Sequence, residues 1–276
     1  VFRTCCSFRK CGRSKMISSA HNPRIRQIRL LMEKSRERKE KGLFVIEGVR
    51  ELEIALQSGF SVHSLFICSP ILSDPDKAAF FTSKAPVVEE IDPVLYDRLA
   101  YRGSTEGVLA VMYSRSTAPE DIKLSPSPLV IILESVEKPG NLGAILRTAD
   151  ACGVDAVLVC DPLTDLYNPN TIRASLGCLF SVPTLTCSSE EAYEWLHKNN
   201  IQIVAASCQS SVPYHLQDYS LPTALTMGTE DKGLSSFWNE RARLKVNIPM
   251  RGKIDSLNVS VATAVLCFEV IRQRNS

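Results

Sequence analysis

No Gly-x-Gly occurs anywhere in this 276-residue chain, and the P-loop pattern is missing too. The first absence removes the glycine-rich turn with which a dinucleotide-binding fold cradles pyrophosphate, and the second removes the usual nucleoside-triphosphate cradle. No apolar run approaches the ~20 residues that a membrane-spanning helix needs. Ten cysteines suggest a metal or disulfide framework until their spacing is read, for no Cys-x-x-Cys is formed. Cys5, Cys6 and Cys11 cluster, but no His-rich segment or second cysteine pair completes a zinc site beside them. Cys152, Cys160, Cys178, Cys187, Cys208 and Cys267 fall mostly in apolar or strand-like runs. There a free thiol packs as a small hydrophobe, which suits a reducing compartment.

What is present is an ordinary globular composition, 45% hydrophobic and 22% charged. The net charge of +2 conceals an asymmetry. Residues 1–41 hold 13 Lys/Arg against three Glu, and the remainder holds 19 Lys/Arg against 27 Asp/Glu. A basic arm on a mildly acidic body points to an anionic partner near the amino end, or to a solvated helix face. Residues 1–15 are basic and free of acid. That is the composition of an organellar transit segment, or of a non-native extension ahead of Met16, and the stretch is left unassigned.

Pro23 to Lys41 reads as a basic helix ended by Gly42, and strand–helix alternation continues to Met112. Ser114 to Pro128 is poor in apolar residues and carries Pro119, Pro126 and Pro128, the composition of a linker. From Leu129 onward strands (129–133, 156–160, 182–186, 201–205, 223–227, 244–248) alternate with helices (142–152, around 168–176, 189–199, 259–273). Such alternation predicts an α/β fold with a parallel sheet covered on both faces. The expected division is a small α/β domain at 16–112, a linker at 113–127 and a larger domain at 128–276.

Three segments carry the chemistry. In Lys138-Pro-Gly-Asn-Leu-Gly-Ala-Ile-Leu-Arg-Thr-Ala-Asp150, Leu142, Ile145, Leu146 and Ala149 make a helical core stripe, Asn141 stands where a cap is expected, and Arg147 falls off the stripe. In Met227-Gly-Thr-Glu-Asp-Lys-Gly233, Glu230 lies between two glycines that permit close backbone approach, at the strand edge where open sheets bind ligands. In Ile248-Pro-Met…Ser256-Leu-Asn258, polar residues sit at the mouth of an apolar helix, where taken alone they are caps.

Together these segments resemble the three motifs of the SpoU/TrmH family of RNA ribose 2′-O-methyltransferases, over roughly residues 128–274. Phe44-Val-Ile-Glu-Gly-Val-Arg-Glu51 is similar to the start of that family's small substrate-binding domain. The resemblance implies a trefoil-knotted SPOUT domain behind an L30e-like RNA-binding domain. It also implies S-adenosyl-L-methionine as cofactor, no metal, a homodimer, and RNA as substrate, with ribosomal RNA favoured over transfer RNA. Knots are nearly absent among folds, and nothing in the composition discloses one. By the same resemblance Met227, Gly228, Ile248, Pro249 and Leu257 contact the cofactor. Arg147 meets the 2′-hydroxyl and the adjacent phosphate, Asn141 orients the substrate or Arg147, Glu230 fixes Arg147 through a charge-assisted pair, and Ser256 and Asn258 complete a polar wall. A non-catalytic ribosome-assembly factor and a base methylase are the competing readings. The expected compartment is cytoplasmic, or organellar if residues 1–15 are a transit remnant.

Overall fold

The computed structural model describes residues 16–100, 106–208, 210 and 212–275. The basic extension with Cys5, Cys6 and Cys11 lies outside the described residues. A first sheet is assembled from α1 (Pro23–Glu33), α2 (Ser35–Lys41), β1 (Leu43–Glu47), α3 (Val49–Gln57), β2 (Val62–Ile67), α4 (Pro75–Lys84), β3 (Val88–Glu90), α5 (Pro93–Leu99) and β4 (Val108–Tyr113). Its order is β1-β4-β2-β3, with β4 antiparallel to both neighbours and β2 parallel to β3. The second half continues with β5 (Leu129–Glu134), α6 (Pro139–Ala151), β6 (Ala156–Cys160), α7 (Pro169–Ala174), α8 (Cys178–Ser181) and β7 (Thr184–Cys187). It ends with α9 (Ser189–Lys198), β8 (Gln202–Ala206), β9 (Thr223–Met227), α10 (Ser236–Arg241), β10 (Leu244–Val246) and α11 (Val259–Arg274). All pairings in its order β10-β8-β9-β5-β6-β7 are parallel.

Four helices begin alike. Asn22, Asp74, Asp92 and Asn168 each accept a first-turn N–H and are followed by a proline. The side chain satisfies a donor that the helix cannot, and proline gives up an N–H that would be unpaired anyway. In β5, Leu129, Ile131 and Leu133 join one core with Leu142, Ile145 and Leu266, while Val130 and Ile132 join another with Trp195 and Trp238. Burial on both faces is why the strand is apolar without alternation.

Three local expectations are corrected. The basic helix 23–41 is two helices, broken at Lys34, which is extended (φ −113°, ψ 111°). Arg38 explains the break: its Nη1 donates to the carbonyls of Leu31 (2.6 Å) and Met32 (3.2 Å), groups that a helix end leaves orphaned. Helix α6 starts at Pro139, so Lys138 is its cap and Asn141 lies inside the first turn. Strand β10 stops at Val246, and Asn247 and Ile248 leave the sheet. Among the described residues no helix is long and apolar enough to cross a membrane. Nor, among them, is any group of three or more His, Cys, Asp or Glu placed to hold a metal ion.

The two sheets share a core. Phe44 of β1 stacks on Tyr167 with ring centroids 4.3 Å apart, and Phe180 packs against both Phe44 (5.8 Å) and Phe60 (5.1 Å). Beside them the buried Arg38 meets Asp165 at 2.6 Å. Truncating Arg38 removes the cation from that largely buried carboxylate, which keeps only the Tyr167 N–H on Oδ1, and takes the Arg38 donor from two carbonyls. Arg38→Ala is therefore expected to lower stability by about 3–5 kcal/mol, read as a shift in the denaturant midpoint; a shift within error would show the pair to be solvated.

Candidate active site

Three chain segments meet at the carboxyl edge of β5 and β9. Glu134 ends β5 and is buried, and its Oε2 accepts the Ser235 backbone N–H at 2.8 Å. That bond pulls the loop after β9 across the strand ends. The loop closes on itself, since Thr229 and Gly233 exchange backbone hydrogen bonds of 3.1 Å in both directions. Gly228 makes the closure possible: a Cβ there would lie under 3.0 Å from Gly233 C, Gly233 O and Leu234 N. Gly143 has a different function from that of a ligand contact. A Cβ on it would overlap Ala174, so it lets α6 approach α7.

Behind the loop is a cavity of about 310 Å³, lined by Met227, Gly228, Glu230, Ile248, Ser256 and Leu257 among others. Of the residues expected to contact a cofactor, Pro249 alone does not line it. Val246, Val259 and Leu266 make its floor apolar. One polar atom of a lining residue stands out. Asn247 Oδ1 is buried and has no hydrogen-bond partner among the described residues. A buried acceptor left unpaired is costly, and this one has almost no surface exposed.

At the cavity mouth the three motifs join through one carboxylate. Glu230 Oε1 accepts from Asn141 Nδ2 (3.1 Å) and from Asn258 Nδ2 (2.6 Å), and Asn258 Nδ2 also reaches Asn141 Oδ1 (3.2 Å). Asn258 is at once the cap of α11, its Oδ1 accepting the Ser260 N–H at 3.0 Å and the Ser260 hydroxyl at 2.6 Å. Capping and site-building are thus the same residue's two ends. Glu230 Oε2 takes an ion pair from Lys138 Nζ. That hydrogen bond first, and the one from Asn141 second, hold the Glu230 carboxyl below its ordinary range, while the same pairing pushes the Lys138 ammonium up. Both groups are exposed, so the pair organises the rim rather than stabilising the fold.

The expected pairing of Glu230 with Arg147 is absent: Lys138 occupies that carboxylate. Arg147 projects from α6 into solvent and has no hydrogen-bond or ion-pair partner among the described residues. Ser256 lines the cavity from an exposed turn. Sequence reasoning missed Lys138 and Asn247. Each does occupy a readable position, directly after or before an element end at the carboxyl edge of the sheet.

Residues 128–268 match the SpoU rRNA Methylase family, and residues 22–110 match the MRM3-like substrate binding domain. The chain is 28% identical over 265 residues to the 23S rRNA (uridine(2479)-2'-O)-methyltransferase of Streptomyces viridochromogenes, an alignment covering 94% of this chain and 92% of that one. Among solved structures, an RNA 2'-O ribose methyltransferase superposes with a TM-score of 0.82 at 36% identity, covering 95% of this chain and all (100%) of the other. An AdoMet-bound rRNA methyltransferase from Sinorhizobium meliloti superposes with a TM-score of 0.85 at 31% identity, covering 95% and 98%.

Proposed function

Because this chain belongs to the SpoU rRNA Methylase family, we propose that it transfers a methyl group from S-adenosyl-L-methionine to a ribose 2′-hydroxyl of RNA, ribosomal RNA being the substrate class. The observation that carries this is the convergence of Asn141, Glu230 and Asn258 on one hydrogen-bonded rim at the mouth of the cavity. The fold class is the trefoil-knotted SPOUT class with a smaller RNA-binding domain ahead of it.

The cavity fits the cofactor. Its floor is apolar and its wall is a glycine loop too tight for a side chain. Gly228, Ile248, Leu257, Met227 and Asn247 would hold it. When bound, S-adenosylmethionine supplies a methyl group already activated by the sulfonium charge. What remains for the protein is to align a weakly acidic hydroxyl and to stabilise the alkoxide as its proton departs. A guanidinium is effectively always protonated, so Arg147 acts as a fixed cation at that oxygen rather than as a base. Asn141 and Asn258 offer amide groups whose orientation Glu230 locks, and Lys138 pairs with the other oxygen of that carboxylate. Ser256 faces the same space.

Residues 16–112 serve as the substrate-binding domain, 113–127 as the linker and 128–276 as the methyltransferase domain in this reading. The free thiols at Cys68, Cys152, Cys160, Cys178, Cys187, Cys208 and Cys267 suit a reducing compartment, the cytoplasm or an organelle matrix. The functional protein is a homodimer. Val261 and Phe268 are 48% and 53% exposed on α11, seven residues apart and so on one face, an apolar patch that a second copy covers. Light scattering at micromolar concentration should give twice the chain mass of 30.5 kDa, and a clean monomer mass would refute the dimer. The function itself is tested by mapping 2′-O-methylation across total RNA with and without the gene. Loss of one or a few ribosomal sites is expected, and an unchanged map would refute the assignment.

A further inference from the structure

Glu230 takes donors from two helix starts at once. From α6 come the Asn141 amide and the Lys138 ammonium, and from α11 the Asn258 amide and the Val259 backbone N–H. The two amides share Oε1, and the ammonium takes Oε2. A carboxylate turns freely about the bond to its own chain, and amides on one oxygen restrain that rotation poorly. A cation on the second oxygen closes it. Asn258 needs little of this help, because its Oδ1 is tied to the Ser260 N–H and hydroxyl. Asn141 has no anchor outside the cluster. Among the described residues its side chain donates to Glu230, accepts from Asn258 and bonds to nothing else. The Asn141 amide is therefore held in place by the carboxylate, and the carboxylate by Lys138.

The surroundings strengthen that dependence. A pocket of about 40 Å³ opens at the rim, and Lys138 and Asn141 line it together with the acids Glu137, Glu230 and Asp231. Lys138 is the sole cation among its lining residues. Without that charge three carboxylates share one space, and their repulsion drives the exposed Glu230 outward. Arg147 does not stand in, for it is exposed on α6 and pairs with no carboxylate among the described residues. The two cations thus divide the work, one serving Glu230 and the other left open to the substrate. The loop that carries Glu230 stays closed either way. Its Thr229–Gly233 and Glu134–Ser235 bonds do not involve Lys138, so losing the lysine moves one side chain and not the wall of the larger cavity.

We propose that Lys138 is a positioning residue for methyl transfer, acting through Glu230 on the Asn141 amide rather than by holding RNA itself. The role rests on the methyltransferase reading above. A double-mutant cycle on the full chain tests it, with methyl-labelled S-adenosylmethionine, ribosomal RNA from cells lacking the gene, and kcat and KM read separately. Lys138→Met keeps nearly the length of the side chain and removes its charge. It should lower kcat roughly three- to fivefold, the scale of one exposed ion pair, and move KM for RNA by less than about twofold. Lys138→Arg returns a charged donor to Oε2 and should recover most of the lost kcat. In a Glu230→Gln background no carboxylate remains to be held, so Lys138→Met should leave kcat there unchanged within error. Cofactor affinity by calorimetry should match wild type in both Lys138 variants, which certifies that they are folded. A raised KM with kcat intact would make Lys138 a phosphate contact and overturn the positioning role. Equal losses of kcat with and without Glu230 would overturn it too, since the lysine would then act independently of that carboxylate. A wild type that methylates RNA beside an unimpaired Lys138→Met refutes the role alone. A wild type that binds the cofactor yet transfers nothing to RNA refutes the methyltransferase reading, and the role with it.

Discussion

Arg147→Ala is expected to lower kcat by about 10²–10³-fold, the usual cost of removing one charge-stabilising donor from a transition state. Its affinity for S-adenosylmethionine should stay within error of wild type, because Arg147 lines neither the cavity nor the Glu230 rim. Arg147→Lys should fail nearly as badly. A planar fork reaches a hydroxyl and its neighbouring phosphate together, whereas an ammonium is a single point of charge. Labelled-methyl incorporation gives kcat, and calorimetry gives the cofactor Kd. Near-wild-type turnover in the Lys variant would remove the positioning role. A parallel loss of cofactor affinity would instead place the arginine on the cofactor side.

Gly228→Ala is expected to weaken cofactor binding at least tenfold. The added methyl would overlap three backbone atoms of the loop's far side, Gly233 C, Gly233 O and Leu234 N. Backbone does not swing aside as a flexible side chain does, so the loop must open. Overpacking of this kind costs about 1–3 kcal/mol, and each 1.4 kcal/mol is tenfold in affinity. Two other glycines calibrate the result. Gly140→Ala meets nothing within 4 Å and has an ordinary backbone, so it should be silent. Gly233→Ala has open space but a φ of +67°, and should show a smaller loss from strain alone. Equal effects at all three positions would mean that general loop softening, not the Gly228 closure, sets affinity.

The parts of this molecule legible in its sequence are those set by neighbours along the chain. Asx-Pro starts, the Gly42 stop and the continuous apolar runs of buried strands place most elements within a few residues. Asn141 is instructive where the reading failed. A lone Asn after Pro-Gly has the look of a cap, but Pro139 takes the first helical position and frees the Asn141 amide for Glu230 and Asn258, 89 and 117 residues away. No local pattern encodes a contact at that separation. Motif spacing brought the three segments together by likeness to a family, not by any force readable in one of them.

The prolines of 114–128 mark a linker in the sequence, and the two sheets on either side of it are joined by stacked aromatics and the Arg38–Asp165 pair. A signal was available. Leu43, Phe44, Val45 and Ile46 are apolar on both faces of β1, which requires a cover on each, and only one can come from the sheet's own helices. For α11 the count of apolar residues was informative in the opposite sense: Val259, Leu266, Cys267 and Val270 are buried while Val261 and Phe268 remain outside.

The most direct test gives the purified protein S-adenosylmethionine labelled in its methyl group, together with ribosomal RNA from cells lacking the gene, followed by complete alkaline hydrolysis. A 2′-O-methyl group blocks the hydroxyl that attacks the adjacent phosphodiester, so the account predicts label recovered in alkali-stable dinucleotides. Label recovered in single nucleotides would mean that a base is methylated. No transfer to RNA from a chain that still binds the cofactor would contradict the proposed activity outright.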